Sequence, residues 1–320
     1  MADREHSQPL LTMDHLPSWV SAAQASTSNL PRRWWINLLL FAATLVSTTV
    51  YGDVVAACFF ANRPFNSDLI WAGYSLLIHH DPLLLQGLLF SAPLLLILTA
   101  HELGHYVACK RWRVEATLPF FLPSPMLLGT FGAFIRIKSP IYTRRSLFDI
   151  GVSGPLAGFA VLMPFLIVGI ALSHATPHIA SAGDFVFGTP LLIRLVEWIR
   201  FPGSPVGDIA LHPIAQAAWA GLLATAINLL PIGQLDGGHI MYALFGPIHK
   251  KLSRLFLIFL LPMAYFSWSW LFWAVLLFFL GLRHPLIYDE TPLDVSRKRI
   301  ALAALAILVL SISLTPVRLR

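Results

Sequence analysis

The sequence predicts an all-α polytopic membrane protein of about seven transmembrane helices, with six as the alternative count, and a short β-ribbon or re-entrant element at the cytosolic face. Three observations predict it. Of the 320 residues, 57% are hydrophobic and only 12% are charged. A soluble domain carries about 25% charged residues, so this chain cannot cover its surface with charge, and much of that surface meets lipid. Apolar runs of the ~20 residues needed to cross a ~30 Å hydrocarbon core recur along the chain. The 22 Lys and Arg sit between those runs rather than on one folded face. With mean hydropathy +0.70 and a pI of about 9.6, the basic excess therefore points to the bilayer as partner, and excludes nucleic acid as the reason for it.

Residues 1–33 are polar and include Asp3, Glu5 and Asp14. A cleavable signal would open on a basic patch and a short apolar core, and a transit peptide would avoid acids, so this segment reads as a flexible cytosolic tail. Residues 34–320 read as one transmembrane domain with its core at about 83–240. Spans are expected near 35–57, 83–106, 150–173, 208–230 and 299–315. The apolar run between Lys251 and Arg283 is too long for one span and carries SWSW at 267–270. It reads as a hairpin of two short or tilted helices.

Counting basic residues orients the spans. With a cytosolic N-terminus, 17 of the 22 Lys and Arg fall on the inside and five (Arg63, Arg194, Arg200, Arg318 and Arg320) on the outside. The positive-inside bias thus faces the end of the second span toward the cytosol. The absence of a targeting segment favours a prokaryotic inner membrane, with an organelle as the alternative. Cys58 and Cys109 fall on opposite sides of the membrane, so no disulfide is expected.

The longest stretch between spans, 107–149, holds the Pro-rich PFFLPSPM and then GTFGAFIRIKSP. There Ala133, Ile135 and Ile137 alternate with Phe134, Arg136 and Lys138, the period-two pattern of a strand bounded by Gly and Pro. The ribbon is expected over 131–138. The outer loop near 174–207 is too short for an independent peptide-binding domain.

The chemistry concentrates in LILTAHELGHYVACKR, residues 97–112. A charged group at bilayer depth costs roughly 2.5–3.5 kcal/mol on insertion scales. His101 and His105, four apart, share one helix face about 6 Å apart, where two imidazoles can grip one ion. Glu102 lies beside them, near enough to touch a metal-bound water. This is the HExxH arrangement of a zinc hydrolase; polar groups tying helices together are the plainer reading. A third protein ligand is needed. Cys109 is more than two turns from His101, and position 111 is arginine, so the ligand must come from another span. The best supplier is TAINLLPIGQLDGGHI, residues 225–240. Pro231 breaks the helix, Gly233 loosens the chain after the break, and Asp236-Gly237-Gly238 sets a carboxylate on a flexible turn. Irregular backbone at membrane depth is tolerated only inside protein or beside a wet cavity. The alternative is an ordinary interfacial turn.

HELGH in one span and NLLPIGQLDGG in a later one resemble the site-2 protease family of intramembrane zinc metalloproteases. RRSLFDIGVSGPLAG (144–158) resembles that family's third core span. The resemblance implies one Zn²⁺ on His101, His105 and Asp236, Glu102 as catalytic acid/base, and Asn228 near the substrate or reaction intermediate. It implies hydrolysis of single-span membrane proteins near the cytosolic side. Many members have proline where Gly233 stands, and many carry a peptide-binding or nucleotide-sensing domain for which this sequence has no room.

Because a helical substrate must unwind before cleavage, the 131–138 ribbon is expected to pair with it as an added strand through Phe134, Ile135 and Arg136; a plain structural loop is the alternative. Gly154 and Gly158 form a small-xxx-small step for helix packing, and His239 reads as a supporting or interfacial group. The rival classes are a zinc or cation transporter, which needs polar groups on several spans and repeated halves, and an inactive membrane scaffold. Another rival is a metalloprotease with a glutamate as third ligand, for which only Glu115 and Glu197 are available.

Overall fold

Where the apolar runs are uninterrupted they become long helices. In the computed structural model, which describes residues 34–65, 68–78, 82–176, 185–204, 208–265, 269–280, 287, 291–312 and 317–319, three helices are long and apolar enough to cross a membrane. They are α1 (Trp34–Phe60), α3 (Leu88–Arg111, with the 3₁₀ turn before it) and α4 (Arg144–Ala171). Between the first two lies the short α2 (Leu69–Ile78). The expected tail, with His79, His80, His178 and His284, lies outside the described residues.

The remaining apolar runs are helical but shorter than a ~30 Å core demands of one straight helix. They form α6 (Pro213–Asn228, 16 residues), α7 (Asp236–Phe245), α8 (His249–Met263, 15 residues), α9 (Ser269–Leu280, 12 residues) and α10 (Val295–Ser311, 17 residues). A short helix, α5 (Leu191–Arg200), lies between α4 and α6. The run after Lys251 does divide into two helices, α8 and α9, although most of SWSW falls outside the described residues.

Local chemistry sets the ends that matter for the site. Thr143 caps α4, its side chain accepting from the Ser146 N–H at 3.1 Å, the usual way to satisfy an orphan donor in a first turn. His212 does the same for α6 through Nδ1, with Pro213 in the first turn. Helix α6 stops at Asn228, three residues before Pro231, whose ring could not continue it.

Helix α4 is the hub and packs against α3, α6 and α7. The core between these helices and α1 is built on Phe90, Leu94, Ile97, Leu162, Leu166 and Leu222, all buried. At one end, Asp149 of α4 joins three elements. Arg297 of α10 donates to both its carboxylate oxygens at 2.8 Å, and the indole N–H of Trp112, at the end of α3, donates to Oδ2 at 3.1 Å.

The β-ribbon exists but is shifted. Strand β2 (Thr130–Phe134) pairs antiparallel with β1 (Phe120–Pro123), placing Phe120 opposite Phe134. Beyond Phe134 only an isolated bridge, Ala116 to Ile137, continues the pairing. The partner strand comes from the Pro-rich stretch, where no strand was expected. Pro123 is accommodated at its end, where the register slips, a position proline tolerates. Helix α1 holds the ribbon: Ser47 Oγ donates to the Gly129 carbonyl at 2.7 Å and Asn37 Nδ2 to those of Leu118 and Pro119. Two further antiparallel pairs, β3 (His174–Ala175) with β5 (Ile209–Ala210) and β4 (Phe185–Phe187) with β6 (Val317–Leu319), are two or three residues long.

Candidate metal centre

The helical period brings His101 and His105 onto one buried face of α3, with ring centroids 4.9 Å apart. Asp236 reaches them from another element. The chain leaves α6 at Asn228, turns through Gly233 in a left-handed conformation (φ 52°), and re-enters a helix with Asp236 as the first residue of α7. The DGG segment is therefore a helix start, not the flexible turn expected. A Cβ at Gly237 would lie 1.9 Å from the Leu229 carbonyl oxygen, so the glycine permits a close fold-back of α7 onto the break. Proline, common at the Gly233 position in the family it resembles, cannot take that positive φ, so the local turn here is this chain's own.

The three ligand atoms form a nearly regular triangle. His101 Nε2 and His105 Nε2 lie 3.1 and 3.2 Å from Asp236 Oδ2 and 3.2 Å from each other. Tetrahedral zinc with bonds of ~2.0–2.1 Å spaces its ligand atoms about 3.3 Å apart, so the donor set fits that ion. The tautomer fits as well. His105 Nδ1 donates to the Ile150 carbonyl at 2.7 Å, leaving the Nε2 lone pair directed at the other two ligands, the support a metal-binding imidazole ordinarily has. Among the described residues this is the only group of three or more His, Cys, Asp or Glu able to hold a metal. Cys109 is buried and takes no part, and neither Cys58 nor Cys109 forms a disulfide.

Helix α4 forms the other wall, and its glycines make space for the imidazoles. A Cβ at Gly154 would fall 2.1 Å from His105 Nε2, and one at Gly158 3.1 Å from His101 Cβ. The small-xxx-small step thus packs two helices together at the place where one of them carries His101 and His105.

A cavity of about 210 Å³ opens beside the triangle, lined by Glu102, Asn228, Gln234 and His239 among others. Glu102 is buried, and the Ile135 backbone faces it across the cavity. Asn228 Nδ2 lies 3.3 Å from His101 Nε2. Of the three ribbon residues singled out in the sequence, Phe134 and Ile135 line the cavity and Arg136 does not. Arg136 spends its backbone on the neighbouring segment: its carbonyl accepts from the Thr117 N–H and its N–H donates to Thr117 Oγ1, both at 3.0 Å. Phe134, the last residue of β2, pairs with Phe120, and Ile135 just beyond the strand turns its backbone toward Glu102. Glu115 and Glu197 are not part of the triangle. Sequence reasoning missed Gln234, which its place two residues before Asp236 could have flagged, and the Ile150 carbonyl, which no side-chain pattern reveals.

Two imidazoles and a carboxylate meeting at one point, with a glutamate beside them inside a bundle of apolar helices, match the donor set that zinc hydrolases of the HExxH class use. A profile of peptidase family M50, the site-2 protease family, matches residues 89–268, more than half of the chain, and the chain belongs to that family. It is 38% identical over 154 residues to the probable zinc metalloprotease EGY1, chloroplastic, of Oryza sativa subsp. japonica, covering 46% of this chain and 26% of that protein. To the probable zinc metalloprotease EGY2, chloroplastic, of Arabidopsis thaliana it is 34% identical over 230 residues, 69% of this chain and 40% of that one. The chain thus spans between about a quarter and two fifths of the length of these relatives. No solved structure matches it.

Proposed function

We propose that the protein is an intramembrane zinc metalloendopeptidase that cleaves single-span membrane proteins near the cytosolic side of the bilayer. The observation that carries this reading is the triangle of His101, His105 and Asp236 ligand atoms with edges of 3.1–3.2 Å, with Glu102 one residue from the first of them. A bound Zn²⁺ polarises the scissile carbonyl and acidifies a water. Glu102 takes the proton from the attacking water and returns it to the leaving amine, a transfer that contributes on the order of 10²–10⁴ in rate. In this reading Asn228, whose Nδ2 lies beside His101, holds the substrate or the developing intermediate. Counted at 1.5 Å per residue, the basic edge at Lys110 lies roughly 8–14 Å along α3 from the motif, which gives water a short route.

Ile135 supports strand addition as the way a substrate is held extended, since its backbone is turned to the cavity beside Glu102. In this reading residues 34–320 are one protease unit of seven spans, residues 1–33 a cytosolic tail, and the ribbon lies at the cytosolic face of an inner or organellar membrane. The test is to incubate purified protein with a single-span substrate and compare wild type with Glu102→Gln. Cleavage lost in the variant with zinc retained is the expected result. Zinc uptake into vesicles by the wild type without any cleavage would replace the protease with a transporter.

A further inference from the structure

Helix α5 (LLIRLVEWIR) is ten residues long, about 15 Å at 1.5 Å per residue, half of what a span needs. It joins the end of α4 to the start of α6. The metal site lies at the other ends of those two helices, beside Gly154 and Asn228. Three stripes run along it. Leu192 and Ile193 are buried against the bundle, with Val196 half-buried between them. Arg194, Glu197 and Arg200, at i, i+3 and i+6, form a polar flank in which both arginines are exposed. Leu191, Leu195 and Trp198, at i, i+4 and i+7, form an apolar seam that points away from the protein, with Ile199 next to it. Trp198 and Ile199 are 73% and 75% exposed.

We infer that α5 is an interfacial helix that lies flat in the headgroup layer of the leaflet opposite the metal site, its Leu191–Leu195–Trp198 seam in the acyl chains and Arg194 and Arg200 against anionic lipid phosphates. Each stripe has its own solvent in that position and in no aqueous one. A seam of Leu and Trp flanked by arginines is the pattern of helices that bury one face ~5–10 Å into the headgroup boundary. Indole is favoured at that depth, and arginine side chains reach from it to phosphate. The seam continues the lipid-type surface of the neighbouring helix end, where Ile167, Val168 and Leu172 are also exposed. The consequence is a depth gauge. Measured along α4, Gly154 lies 17 residues, or about 25 Å, from the helix end at Ala171, after which the chain runs on to α5. The anchor thus holds the ligand histidines near the far edge of a ~30 Å core, within reach of water from that side.

The test uses full-length protein reconstituted in phosphatidylcholine vesicles, with or without one quarter phosphatidylglycerol, and nitroxide labels at Leu195→Cys, Trp198→Cys, Arg194→Cys and Arg200→Cys in separate variants. The expected result is that labels at 195 and 198 relax with oxygen, not with an aqueous nickel reagent, at a depth of about 5–10 Å below the phosphates. Labels at 194 and 200 should report the aqueous reagent, and phosphatidylglycerol should deepen the label at 198. Labels at 195 and 198 that respond to the aqueous reagent as strongly as those at 194 and 200 would overturn the inference. So would labels screened from both reagents, the mark of a second protein copy on the seam. Neither readout depends on proteolysis, and zinc content of each labelled protein reports whether it has folded.

Discussion

The two ends of the bundle use histidine in opposite ways. At the candidate metal end, His101 and His105 turn their Nε2 atoms toward one another and toward Asp236, so that two ring nitrogens and a carboxylate oxygen converge. At the other end, His212 Nδ1 accepts from the Ile214 N–H to cap α6, and His174 Nε2 bonds Asn62 Oδ1. Each of these has its own partner, and the rings pack edge-on or tilted against Phe59. Burial and residue type alone do not separate a ligand from a strut. What separates them is whether ring nitrogens are spent on separate partners or collected at a point, where a bound cation would satisfy them.

Several substitutions break or sharpen this contrast. Outside the three candidate ligands themselves, the largest effect is expected from Gly154→Ala. Its methyl would sit 2.1 Å from His105 Nε2, so zinc affinity, read by competition with a chromogenic chelator, should fall at least about a hundredfold. Unchanged affinity would show that α4 is free to retreat from α3. Next, Ile135→Pro removes the N–H that faces Glu102 and the cavity. The expected loss in kcat/KM is on the order of tenfold to a hundredfold with zinc content unchanged, and full activity would remove strand addition at this edge.

At the opposite end the effects should be on stability alone. Burial raises the Glu197 carboxyl from the ordinary range to about 7, against the pull of Arg194 downward. Its folded pKa therefore lies above its unfolded one. That contribution to stability is fully present below about pH 4.5 and is lost as the pH rises through about 7. Glu197→Gln should flatten a decline on the order of 3 kcal/mol across that window, measured by thermal unfolding in detergent at several pH values; an identical pH profile would refute it. The smallest effect belongs to His212→Ala, which loses a helix cap worth about 1 kcal/mol. Zinc affinity should not change, whereas His105→Ala should abolish binding. Equal zinc loss in both variants would erase the distinction between the two ends.

The metal end was the more legible in sequence, for physical reasons. A four-residue interval on a helix fixes a shared face whatever surrounds it, so His101 and His105 follow from period alone. Asp236 was legible as an acid beside a helix break, but its setting was not. The two glycines after it read as flexibility, whereas Gly237 and Gly238 serve close approach to Leu229 and to Ile232–Gly233, contacts between segments that local sequence does not record. The Ile150 carbonyl that orients His105 carries no side-chain signature at all. In the ribbon, alternation located β2, but its partner β1 hid in a proline-rich stretch because pairing there is set by docking on α1. The apolar runs were legible as helices and less so as spans, since helix length depends on where neighbours and prolines end them. Only α1, α3 and α4 reach full crossing length among the described residues.

The central claim is that side chains from two separate helices hold one ion. X-ray absorption at the zinc edge, on purified wild type and Asp236→Ala with metal content measured on the same samples, tests it most directly. The account predicts one zinc per wild-type chain, scattering from two imidazoles and light-atom ligands without sulfur, and loss of the metal in the variant. A variant that keeps one zinc with an unchanged spectrum would contradict it.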